Sequence, residues 1–79
     1  MSVGLTIGEA RMAQGVSISD LAAATKIREA LLLSLEANDF ECFGGAAYTR
    51  GHLMVIAAFL DLDANALAHE FDLQYADPV

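Results

Sequence analysis

Through the first 37 residues, apolar side chains recur at helical spacing and are interrupted twice, near Gly15 and near Thr25, with only two or three residues at each break. Connections that short force successive helices into mutual contact, which leaves few arrangements open. Residues 5–14 carry Ile7, Ala10, Arg11 and Gln14 along one stripe, and Gly15 suits the left-handed conformation that ends a helix. Ser17 followed by Asp20 has the form of a capping box, with Asp in place of Glu, and opens a short second helix over residues 18–24. Thr25 is the expected N-cap of a third helix reaching to about residue 37, in which Ile27, Leu31 or Leu32, and Leu35 recur, with Asn38 and Asp39 closing it.

The second half continues the pattern. Residues 40–47, with the Gly44-Gly45 pair, read as a loop. A fourth helix starts near residue 48 and continues through Leu53, Ile56, Ala57 and Leu60; residues 61–63 form a corner. Asp63 caps a last helix over residues 64 to about 71, and residues 72–79, with Pro78, are expected to fray. The expectation is an all-α domain of five helices over residues 4–71 with a flexible tail at 72–79. With 56% hydrophobic and 19% charged residues the chain folds, and 79 residues suffice for one core. The longest uncharged apolar run, residues 53–60, falls far short of the roughly 18 to 20 residues a bilayer requires, so it is assigned to the domain interior. The N-terminus lacks the basic and apolar blocks of a secretory signal, and a cytoplasmic setting is expected. Cys42 has no second cysteine for a disulfide or a zinc site and reads as a small apolar filler rather than a reactive thiol.

Helices one to three have the spacing of a helix-turn-helix, with the third in the recognition position. The order Gly4, Ile7, Ala10-Arg11, Gly15, Ser17, Leu21-Ala22, Thr25, Ile27, Leu32, Leu35-Glu36 resembles the Cro/C1-type, lambda-repressor-like class. In that class an Arg on helix one pairs with a Glu near the end of helix three; Arg11 and Glu36 stand at those positions. Such a bridge fixes helix packing more than it adds net stability. Charge opposes the DNA-reading role of that class. The chain has eleven acidic and four basic residues, whereas a duplex binder commonly neutralises about six to ten phosphates. Lys26 and Arg28, the candidate DNA contacts, are matched by Glu29 and Glu36. Base edges are read by Arg, Lys, Asn or Gln, yet the middle of helix three is Ala30-Leu31-Leu32-Leu33, with two leucines free to enter the core and Leu33 left outward.

The second half narrows the resemblance. Asn38-Asp39-Phe40, Gly44 or Gly45, Tyr48-x-Arg50-Gly51-His52-Leu53, Ile56-Ala57, Leu60-x-Leu62-Asp63 and Leu67-x-x-x-Phe71 together resemble, as an ordered series over residues 4–71, the cytoplasmic N-terminal domain of the RodZ family. RodZ proteins link the actin-like MreB filament to the bacterial membrane. The resemblance implies a protein-interaction adaptor in cell-shape control, a five-helix domain followed by a basic linker and a transmembrane helix; this sequence contains neither of the latter two. It also implies that two aromatic residues flanking Arg-Gly on the fourth helix contact the filament. Here these are Tyr48 and His52, with His52 in place of Phe or Tyr.

An aromatic ring one turn before an imidazole makes a flat anchor for a protein partner. Tyr48 reads equally well as a core aromatic, and His52 as a surface histidine without a role. Arg50 is open to three roles: a partner contact, a phosphate contact, or a bridge to Glu36 or Asp39. Gly51 within a helix costs about 1 kcal/mol relative to Ala, and so marks either a close helix approach or a tolerated weak residue. Met54 stands where RodZ-like domains usually carry Arg or Lys, and Leu33 where they carry a polar residue. Both departures remove polarity and favour protein contact, against the reading of isolated exposed side chains. A regulator that binds another helix-turn-helix protein through the apolar third helix is a further reading.

Catalysis is not expected. His52 and His69 lack the spacing of a metal or nucleophile site. Asp61-x-Asp63-x-Asn65 begins like a calcium loop, but Ala66 occupies the obligatory Gly position and Asp72 the place of the closing Glu. Neither a metal nor a cofactor is called for. The expected partner is a protein, an MreB-like filament on the resemblance, with DNA unfavoured and no membrane insertion by this chain. The expected location is cytoplasmic, at the inner membrane face if the chain is part of a longer anchored protein.

Overall fold

The computed structural model describes residues 2–40 and 46–76. It is all-helical, with α1 at Val3–Ala13, α2 at Ile18–Thr25, α3 at Glu29–Glu36, α4 at Ala46–Leu60 and α5 at Ala64–Ala76. Cys42, the Gly44-Gly45 pair and residues 77–79, with Pro78, lie outside the described residues.

Local chemistry sets most of the helix ends. The Ser2 hydroxyl accepts from the Leu5 amide at 3.1 Å, which starts α1 two residues before the expected boundary. Gly15 is left-handed, with φ +69°, as a helix-ending glycine should be. The capping box of α2 is complete: the Asp20 amide donates to the Ser17 hydroxyl at 2.9 Å, and the Ser17 amide donates to the Asp20 carboxylate at 3.3 Å. At the start of α5 the Asp63 carboxylate accepts from the Asn65 and Ala66 amides at 3.0 and 3.1 Å.

Three boundaries correct the sequence expectation. Thr25 does not cap α3; it is the last residue of α2, where its hydroxyl donates to the Leu21 carbonyl at 2.7 Å and accepts from the Ile27 amide at 3.3 Å. Lys26 then turns left-handed at φ 63°, Arg28 is extended, and α3 begins only at Glu29 with no side-chain cap. Ile27 is therefore a buried plug in the turn rather than a residue of the third helix. α4 begins at Ala46, earlier than expected. α5 does not stop at Phe71 but continues to Ala76, because its last turn has partners. Gln74 accepts from the Val3 amide at 2.9 Å and donates to Asn38 at 2.7 Å, and Asn38 in turn accepts from the Gly4 amide at 2.9 Å. This clasp joins the start of α1, the end of α3 and the end of α5.

One core contains Val3 and Ile7 of α1, Leu21 of α2, Ile27, Leu32 and Leu35 around α3, Leu53, Ile56, Ala57 and Leu60 of α4, and Leu67 and Phe71 of α5. Phe40 meets the Phe71 ring edge-on at 5.0 Å. α1 and α3 cross closely at Gly4, where a Cβ would run into the Glu36 carbonyl oxygen and lie 2.9 Å from that of Leu35. α4 and α5 share the most extensive helix pairing, whereas α3 and α4 make no direct backbone contact. That gap becomes a groove.

Candidate interaction surface

α4 divides its fifteen residues by helical angle. Thr49, Leu53, Ile56, Ala57 and Leu60 turn inward, and Tyr48, Met54, Val55 and Phe59 turn out. The uncharged run at residues 53–60 is therefore not wholly interior, as the sequence suggested: Met54 is 57% exposed and Phe59 45%. Tyr48 is 63% exposed, which removes its reading as a core aromatic. It lies against His52, ring centroids 4.9 Å apart and tilted by 50°. Tyr48, His52, Val55 and Phe59 follow one another by four, three and four residues and form one continuous row. Gly51 is exposed, and a Cβ built on it meets nothing within 4 Å. It is thus not a point of close approach within the domain.

Arg50, the one formally charged residue of α4, is engaged from within. Its guanidinium donates to the Asp72 carboxylate at 2.7 Å and lies 5.9 Å from the centroid of the Phe71 ring. Its carboxylate partner is neither Glu36 nor Asp39. Both members of the pair are close to half exposed, so the bridge orients α5 on α4 without adding much stability.

Arg11 and Glu36 meet in a two-pronged contact at 2.8 and 3.1 Å, and Arg11 also donates to the Val16 carbonyl at 3.1 Å. The Glu36 hydrogen bond, aided by its charge and opposed by partial burial, raises the guanidinium pKa further above its already high ordinary value. This alters the charge reckoning on the recognition face, because Glu36 is occupied by Arg11 and does not offset Lys26 and Arg28. Among the described residues, neither Lys26 nor Arg28 has an ion-pair partner.

Those two cations line a groove of about 440 Å³ between the α2–α3 turn and the start of α4, together with Ile27, Ala30, Leu31, Tyr48 and His52. The structure thus brings Lys26, Arg28, Tyr48 and His52 together. It does not bring Leu33 to them; Leu33 is 55% exposed on α3 and does not line the groove. Met54 lies on the α4 face away from the core. Sequence reasoning missed Val55 and Phe59 because it assigned their run to the interior, although helical angle places them at the edge of the stripe formed by Leu53, Ile56 and Leu60. It also missed Ala30 and Leu31 as groove walls, which follow only from the separation of α3 from α4.

Among the described residues no group of three or more His, Cys, Asp or Glu side chains is arranged to hold a metal ion. No described helix is long and apolar enough to cross a membrane.

A family model described as a helix-turn-helix domain matches residues 6–67. No curated protein and no solved structure matches the chain. Helix-turn-helix domains are in general non-enzymatic. With most of its length matched and with α2, the Lys26 turn and α3 in the required order, the chain belongs to the helix-turn-helix domain family.

Proposed function

We propose that the domain is a non-catalytic adaptor that binds a protein partner through the outer face of α4, in the manner of the RodZ family with its actin-like MreB filament. The observation that carries this reading is the composition of that face. Tyr48, Met54, Val55 and Phe59 are exposed along a helix whose single formal charge is held by Asp72. Exposed apolar rows rimmed by polar residues are surfaces at which proteins meet, and Tyr is favoured as an anchor there. The outward residues of α3 supply little competition. Glu29, Ala30 and Leu33 are exposed, and none is of the donor types that read base edges in the major groove. A cytoplasmic location, at the inner membrane face when carried on a longer anchored chain, belongs to the same reading.

Co-sedimentation with purified MreB-type filaments tests it. Wild-type domain pelleted with filaments, and Tyr48→Ala/His52→Ala left in the supernatant with its helix content intact, is the expected result. Equal pelleting of the two proteins would remove the assigned face.

A second reading, a repressor-class DNA binder, draws on Lys26 and Arg28, which flank the start of α3 without ionic partners among the described residues. Retention of duplex DNA by the domain at low salt, lost in Arg28→Glu, would promote it. Two cations on a chain of net charge −7 remain far below the phosphate neutralisation that duplex binding commonly uses.

A further inference from the structure

The four basic residues of the chain are unequally employed: Arg11 is held by Glu36 and Arg50 by Asp72, while Lys26 and Arg28 stand together on one groove. Among the described residues these two cations have no ion-pair partner, and a protein of net charge −7 has little reason to leave them so on a groove that Tyr48 also lines, unless that spot meets something negative. We propose that the groove between the α2–α3 turn and the start of α4 takes an acidic segment of the protein partner, with carboxylates set against Lys26 and Arg28 and an apolar side chain against Leu31 and Tyr48.

The inference rests on the protein-docking reading and adds the partner's chemistry to it. Charge complementarity selects the occupant. A basic segment would meet Lys26 and Arg28 directly, and an uncharged one would bury them unpaired, which is costly. The carboxylate nearest in sequence, Glu29, is exposed and does not line the groove. The start of α3 has no side-chain cap, so its first amides add positive potential at the same end. A groove of about 440 Å³ accommodates a few side chains and not a duplex. Tyr48 and His52 border both the groove and the α4 row, so a single partner can occupy the two without a break.

Amide NMR spectra of the whole chain, titrated with two capped peptides of the same apolar content, one glutamate-rich and one lysine-rich, test the proposal. The glutamate-rich peptide is expected to shift the amides of residues 26–31 and 48–52. Its affinity should fall roughly tenfold in Lys26→Glu/Arg28→Glu, with Lys26→Gln/Arg28→Gln as the milder variant should the reversal disturb folding. No shift with the acidic peptide, equal shifts with the lysine-rich one, or undiminished binding by the folded charge variants would overturn it, as would a short DNA duplex shifting these amides at physiological salt where the acidic peptide does not. Acidic-peptide binding without filament binding would remove the filament reading and keep the groove. Filament binding by the wild type that the charge variants leave unchanged would keep the docking reading and remove the groove.

Discussion

Gly4 and Gly51 show how differently one residue type can be used in a single domain. Gly4 lies where α1 meets the backbone of α3, and the atoms that a Cβ would strike, the carbonyl groups of Leu35 and Glu36, cannot step aside as a side chain could. Gly4→Ala is therefore expected to destabilise the fold by about 1–3 kcal/mol, read from the denaturant midpoint. Gly51 has open space instead, and Gly51→Ala should stabilise the isolated domain by about 0.5–1 kcal/mol in the same measurement. The sequence did not separate them. It left Gly51 as either a close approach or a tolerated weak residue, because which glycine faces a neighbour depends on the helix crossing and not on spacing along the chain. The Arg11–Glu36 pair was legible through the resemblance to the Cro/C1-type class, which implies an Arg and a Glu at those positions. Arg11→Met should cost about 1–3 kcal/mol by leaving the Glu36 carboxylate and the Val16 carbonyl short of a donor. Arg11→Met/Glu36→Leu should recover much of that loss. Because the arginine pKa is raised on folding, its contribution is fully present below its unfolded value and is lost only as pH rises through the folded one. Both lie far into the alkaline range, so this arginine adds no pH dependence near neutrality.

Among the elements, α5 and α4 departed most from expectation. The last turn of α5 was given to a frayed terminal tail ahead of Pro78, yet it has polar contacts made across the chain: Asp72 with Arg50, and Gln74 with the start of α1 and with Asn38. Such partners are invisible in local sequence. Truncation after Phe71 is accordingly expected to lower stability by about 1–3 kcal/mol and to lower the melting temperature, whereas a dispensable tail would leave both unchanged. Capping was legible at Ser17 and Asp63, and it was missed at Ser2, whose cap starts α1 earlier than expected. It failed at Thr25, whose hydroxyl bonds back to Leu21 and stays with α2. For α4, an uncharged run reads the same whether a neighbouring helix covers all of it or half. The α3 and α4 backbones stay apart, and that gap leaves Tyr48 exposed above a groove.

On the scale of the whole molecule, charge and apolar surface occupy different places. Two of the four cations hold helices together, two line the groove, and eleven carboxylates leave a net charge of −7. The outer face of α4 carries one internally paired charge, and so it is where this anionic domain can approach another protein with least repulsion. The helix-turn-helix architecture was readable from the short connections of the first three helices. The proposed assignment of the partner face to the fourth helix rather than the third rests on charge together with exposure, and only the first of these can be read from sequence. Amide hydrogen exchange of the domain, alone and with saturating MreB-type filaments, tests this most directly. Added protection is expected over residues 46–60, with Leu33, on α3 outside the groove, unchanged. Absence of protection on α4, with protection of residues 26–36 by duplex DNA at physiological ionic strength, would contradict it.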